Sequence, residues 1–176
     1  NYHCPSGCGH CLYNCSPRWP KDYITPEQTA LSLQKIKKLG CSNLHIGGGE
    51  PLLRPDDLEK VLDVAARVGV SIDYVETNSS WFKDPDSAKQ TLARLRRRGL
   101  RTLLVSISPF HNEFIPFSRV KGVIEAARQV GVEILPWISD FISDISQFDP
   151  YKSHKPEAYL NKFGQNYLEQ VLQRYW

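Results

Sequence analysis

The 176 residues contain no methionine, not even at the start. An open reading frame begins with one, so the chain is expected to be trimmed from a longer protein. No apolar run reaches the roughly 18 residues of a membrane-spanning helix, and no secretory leader opens the sequence. Neither sign of charge dominates. With 22 lysines and arginines against 19 aspartates and glutamates, the net charge is +3, too mild to call for nucleic acid or a membrane as partner. Cysteine is scarce: five in all, and only Cys41 lies beyond the first fifteen residues. Such an uneven distribution reads as metal ligation rather than a disulfide framework. At 41% hydrophobic, the chain can bury a single sizeable core. The expectation is one soluble domain over 1–176, in the cytoplasm, where reducing conditions keep thiols free.

Cys4, Cys8, Cys11 and Cys15 are spaced C-x3-C-x2-C-x3-C. Gly7 and Gly9 flank Cys8 and are expected to let the backbone fold tightly enough for the sulfurs to converge. Structural zinc sites pair two short cysteine knuckles, and bacterial ferredoxins use C-x2-C-x2-C-x3-C-P. Neither spacing is present. C-x3-C-x2-C with a flat residue before its last cysteine resembles the signature of the radical S-adenosylmethionine (radical SAM) enzymes, and His10 holds the flat position. The resemblance implies that Cys4, Cys8 and Cys11 ligate a [4Fe-4S] cluster with one iron left open for S-adenosyl-L-methionine. Cys15 is then a bystander thiol. The rival reading is a non-catalytic zinc or ferredoxin-like module closed by Cys4, Cys8, Cys11 and Cys15. Cys41, alone ahead of a strand, reads as a small buried hydrophobe.

Strand and helix alternate downstream. Thr25-Pro26-Glu27-Gln28 carries the marks of a capped helix start, with Ala30, Leu31, Leu33, Ile36 and Leu39 as its apolar stripe. A strand at 43–46 runs into Gly47-Gly48-Gly49-Glu50-Pro51. Gly48, Gly49, Glu50 and Pro51 match the radical SAM element that receives the amino group of the cofactor's methionine. A helix starting at Pro55 and stopping at Gly69 leads to a strand over 70–76, ending in Thr77-Asn78. The resemblance puts both residues at the cofactor-facing rim.

A third helix opens at Asp84-Pro85 and ends in an arginine run, read as a solvated face. The strand over 101–108 is apolar enough for burial on both faces, and the resemblance assigns Ser106 or Ser108 to the cofactor's ribose and His10 to its adenine. His111-Asn112 stands where the family usually has His-Asp; His111 reads equally as a loop histidine or a substrate contact, and Arg119 is the nearest stand-in for the family's arginine. A helix over 118–130, a strand over 132–138, an irregular segment over 139–156 and a last amphipathic helix over 157–175 complete the chain.

Repeated β-α units about 30 residues long give an α/β fold with a parallel sheet, either doubly wound or curled into a barrel, with ligands at the carboxyl ends of the strands. The resemblance selects the curled form, a partial (β/α)6 barrel with outer helices, incomplete at its first and sixth strands. It further implies a radical SAM enzyme, an oxidoreductase or transferase: the reduced cluster cleaves S-adenosyl-L-methionine to a 5′-deoxyadenosyl radical that abstracts hydrogen from an unidentified substrate. An external flavodoxin- or ferredoxin-like protein would donate the electron. No general base is assigned.

Overall fold

The computed structural model describes residues 1–174. Its frame is a four-stranded sheet of β1 (Asn43–Ile46), β2 (Ser71–Thr77), β3 (Thr102–Ser106) and β4 (Glu133–Trp137). All three pairings are parallel, and the strands lie side by side in chain order. That order separates the two architectures the alternation allows. A doubly wound sheet reverses direction at a switch point, whereas here each crossover steps one strand the same way, as in a barrel. The four strands form a partial barrel wall.

The crossovers are α2 (Pro55–Val68), α3 (Pro85–Arg97) and α5 (Phe117–Val130), with α1 (Pro26–Lys38) before β1. Short α4 (Pro109–Asn112) follows β3, and α6 (Phe141–Ile145), α7 (Pro156–Phe163) and α8 (Tyr167–Gln173) close the described chain. α1 has the expected capping box, Thr25 and Gln28 each bonding the other's backbone amide. α2 and α5 end on Gly69 and Gly131 in the left-handed conformation, which lets the following amide bond back into the last turn.

Alternation along the strands sorts the two faces of the sheet. Val75, Leu103 and Val105 point outward into a core shared with Leu58, Leu62, Leu92, Leu95, Val120 and Val123. Each such burial is worth about 1.5–3 kcal/mol. His45, Tyr74, Glu76, Leu104, Ser106 and Trp137 point the other way, to the concave side. As expected for a strand covered on both faces, the middle of β3, Leu103 to Val105, is buried throughout.

Several expectations need correction. Leu31 and Leu39 are 70% and 79% exposed, because α1 lies over α2 and only its Ala30, Leu33 and Ile36 line reaches the small cluster around Val64, Ala65 and Val70. Cys41 is exposed, its thiol donating to the Asn43 carbonyl at 2.9 Å. The expected last helix is two, broken at Gly164 with φ +102°, and its Tyr175 lies outside the described residues. The segment over 139–156 contains α6. In the arginine run, Arg94 reaches Asp56 and the largely buried Glu59, and Arg98 reaches Asp63, all on α2; the exposed pairs with Asp56 and Asp63 contribute about 0–1 kcal/mol each. Among the described residues no helix is long and apolar enough to cross a membrane.

Candidate cofactor site

The cysteine segment is a closed loop sewn to the sheet. The Cys4 amide bonds the Ser16 carbonyl, joining the loop's two ends. Inside it, the Cys11 amide bonds Cys8 and the Asn14 amide bonds Cys11. Asn14 takes the left-handed conformation at φ +51°, which asparagine tolerates better than most residues. Gly7 and Gly9 do not act as expected: neither has a positive φ, and a methyl group at either would meet nothing within 4 Å. The tight turning falls to Asn14.

Glycine is required at the other end of the site. The Gly49 amide donates to the Asn1 carbonyl at 2.7 Å and the Glu50 amide to the His3 carbonyl at 3.1 Å, so Asn1 to His3 run along the exit of β1. A Cβ at Gly49 would sit 2.0 Å from the His3 oxygen, and one at Gly48 2.5 Å from the Asn1 oxygen. Gly48 also has φ +114°. These glycines exist for a backbone-to-backbone approach that delivers Cys4 to the strand ends.

Glu50 ties the arrangement together from behind. It is 0% exposed, and its carboxylate accepts from the Leu52 amide at 3.0 Å, the Thr77 hydroxyl at 3.1 Å and the Asn78 amide at 2.7 Å. Burial pushes its carboxyl up to about 7 against the pull of those donors. Asn78 then turns its side-chain amide onto the Cys4 sulfur at 3.1 Å, and the Ser6 amide reaches the same sulfur at 3.4 Å. Leu52, Thr77, Asn78 and Cys4 are thereby registered to one buried carboxylate.

The result is a cavity of about 110 Å³ lined by Cys4, Cys8, His10, Cys11 and Cys15 of the cysteine loop and by Gly48, Gly49, Thr77, Asn78 and Ser106 at the strand ends. All five cysteines are free thiols. Cys15 is buried, with its amide 3.4 Å from the Cys11 sulfur. Burial, reinforced by the neighbouring sulfurs, pushes the Cys8 and Cys15 thiols up to about 12, and burial with the Glu50 charge nearby raises that of Cys4. Cys8 also feels the Glu113 carboxylate. Four thiols ring the space rather than meeting at a point, and among the described residues no three of His, Cys, Asp or Glu are gathered closely enough for a single metal ion.

Of the residues singled out in the sequence, Glu50, Pro51 and Ser108 stand outside the lining. Pro51 is buried at the head of a 3-10 turn. Ser108 caps α4, accepting from the His111 amide and bonding His111 Nδ1 at 2.7 Å. His111 lines the cavity edge-on to His10, which stacks on Phe110. Burial lowers His10 to about 4 and, with His10 beside it, His111 to about 3, so both rings are neutral near pH 7. Arg119 is elsewhere, donating to the Ser80 carbonyl. Sequence reasoning passed over Ser6, whose buried hydroxyl has no hydrogen-bond partner among the described residues, and Glu76, which lines the cavity. Ser6 carries no signal beyond its place inside the motif, whereas Glu76 shares the concave phase of β2 with Tyr74.

A family model of the Radical SAM superfamily matches residues 1–143. Among curated proteins the chain is 27% identical over 144 residues to a GTP 3',8-cyclase of Aquifex aeolicus, covering 74% of this chain and 42% of that one. It is 32% identical over 126 residues to a GTP 3',8-cyclase of Xanthomonas axonopodis pv. citri, covering 68% and 35%. A PqqA peptide cyclase of Streptomyces rochei is 29% identical over 139 residues, covering 77% and 36%. The chain thus spans less than half the length of these relatives. A match across most of its residues, with the motif thiols and the glycine strap meeting at one cavity, shows that the chain belongs to the radical SAM superfamily.

Proposed function

We propose that Cys4, Cys8 and Cys11 hold a [4Fe-4S] cluster against the cavity, that S-adenosyl-L-methionine binds across it, and that the protein is a radical SAM enzyme acting on a substrate yet to be identified. The observation that carries this reading is the convergence of the three motif thiols and the Gly48–Gly49 backbone, distant in sequence, on one cavity. The donors present fit the cofactors. Two N–H groups already point at the Cys4 sulfur, as hydrogen bonds to cluster ligands do when they tune potential, and the Ser6 hydroxyl is buried with a proton to give.

Together the bound cofactors supply one-electron cleavage of a carbon–sulfur bond and hydrogen-atom abstraction from substrate. The chain's own part is to bind, orient and keep water out. Gly48 and Gly49 present bare backbone to the cofactor's amine, and Glu50 fixes that backbone by anchoring Leu52, Thr77 and Asn78. Thr77 and Asn78 border the same space. Ser106 offers a hydroxyl to the ribose, and neutral His10, braced on Phe110, offers adenine an uncharged ring face. Ser108 and Pro51 hold the wall in shape. Cys15 is left as a bystander. An external flavodoxin- or ferredoxin-like donor would supply the electron, in the cytoplasm, where thiols stay reduced. Relatives named for GTP and for a peptide differ too widely for either substrate to be carried over.

The test is 5′-deoxyadenosine formation after anaerobic iron–sulfur reconstitution and reduction. The parent should produce it and Cys8→Ala should not. A Cys8→Ala protein still forming it at the parent's rate overturns the assignment.

A further inference from the structure

A second cavity, of about 400 Å³, opens on the concave face of the sheet beside the first, sharing His10, Cys11, Glu76, Ser106 and His111 with it. The rest of its wall comes from inward positions of successive strands, His45, Tyr74, Leu104 and Trp137, with Leu12 and Tyr13 from the cysteine loop and Leu172 from α8. Anything seated there lies next to the proposed cofactors.

The chemistry of this wall is one-sided. Its single carboxylate is Glu76, and among the described residues no lysine or arginine lines it. Glu76 is held in place on two sides. His45 Nε2 lies 3.3 Å from Oε1, and the imidazole is itself stacked on Tyr74 at 4.8 Å and 9° between planes. On the other side the carboxylate rests on bare backbone, since a Cβ at Gly47 would come within 2.7 Å of Oε2. A side chain at 47 would push the carboxylate from this position. Burial raises the Glu76 carboxyl, and the neighbouring His45 draws it back. Beside this acid the wall carries the apolar side chains of Leu12, Leu104, Trp137 and Leu172.

We propose that the second cavity seats the substrate and selects a molecule carrying a protonated amine on a flat or apolar body, the amine meeting Glu76 and the body lying against Trp137 and Leu104. A partly shielded carboxylate with no lysine or arginine in the wall beside it, His45 being its one basic neighbour there, attracts an ammonium more strongly than a surface acid does, and it repels an anion of the same shape. The assignment as substrate rests on the cofactor reading of the neighbouring cavity; the charge preference of the wall does not.

Two probes of matched shape and opposite charge test it: tryptamine and indole-3-propionate, titrated calorimetrically into the whole protein, parent and variants. The parent should bind tryptamine about tenfold more tightly than indole-3-propionate. Glu76→Gln should bring the two affinities together, Glu76→Asp should restore part of the preference, and Trp137→Ala should weaken both probes alike. Equal affinities in the parent, or a preference that survives Glu76→Gln, overturn the proposal. Deoxyadenosine formation measured on the same preparations separates the two readings. Its presence without an amine preference overturns the substrate class alone, and an amine preference without it overturns the cofactor reading and the assignment as substrate while the charge preference of the wall stands.

Discussion

Gly49→Ala is the most informative single substitution. Its Cβ would sit 2.0 Å from the His3 carbonyl oxygen and 2.7 Å from the His3 carbonyl carbon, and both are backbone that cannot rotate away. Restoring an ordinary contact near 3.5 Å moves the entering strand by about 1.5 Å. That displacement breaks the Gly49–Asn1 and Glu50–His3 hydrogen bonds, at about 0.5–1.5 kcal/mol each, and carries Cys4 with it, since Cys4 follows His3 directly. The outer core of α2, α3 and α5 is untouched. The expected result is a loss of about 1–3 kcal/mol in urea unfolding together with loss of most bound iron and acid-labile sulfide after reconstitution. Gly7→Ala is the control. It lies inside the cysteine loop but meets nothing within 4 Å, and should leave both measurements at parent values. Should Gly49→Ala load iron like the parent, or Gly7→Ala lose it, the role given to the strap is wrong.

Other consequences are equally open to measurement. Cys15→Ala should keep its iron and still form deoxyadenosine, because three thiolates suffice; loss of the cluster would make Cys15 a ligand. Glu50 has a folded value near 7 against an ordinary 4.5, so between those pH values the folded chain holds a proton that the unfolded chain has released. The contribution of Glu50 to the stability of the cluster-free protein should therefore be fully present below about pH 4.5 and be lost as pH rises toward 7, by on the order of 3 kcal/mol. Glu50→Gln should flatten that slope in pH-dependent urea titrations, and an unchanged slope would count against the buried-acid reading. Leu103→Ala, on a fully buried β3 position, should cost about 2–5 kcal/mol, whereas Leu31→Ala on the exposed side of α1 should fall within about 0.5 kcal/mol of the parent.

Local signals were legible because local physics writes them. The Thr25–Gln28 capping box, the glycine stop at Gly69 and the apolar run of β3 all act within a few residues, and each reappears in the structure. The cysteine spacing and Gly48-Gly49-Glu50-Pro51 could be recognised as motifs, and the sheet brings them together. The reasons for the motif glycines could not be read. Gly7 and Gly9 look flexible beside Cys8 yet are not needed, while Gly49 is needed because of His3, a partner far away in sequence. Glu50 looks like a ligand-facing acid, but its three donors come from Leu52, Thr77 and Asn78, and only the sheet register reveals that. Leu31 and Leu39 fit a helical stripe, yet α1 packs mainly on α2 through its Ala30, Leu33 and Ile36 side. The concave face was missed because alternation marks His45, Tyr74 and Glu76 as facing one way without saying that the space in front of them is open.

The measurement that bears most directly on the central claim is electron paramagnetic resonance of the reduced, reconstituted protein before and after adding S-adenosyl-L-methionine. A cluster held by Cys4, Cys8 and Cys11 with one iron open should change its spectrum when the cofactor binds, and should do so in Cys15→Ala as well. A spectrum indifferent to S-adenosyl-L-methionine would mean a closed site, and the cavity between the cysteine loop and the glycine strap would then not be a place where cluster and cofactor meet.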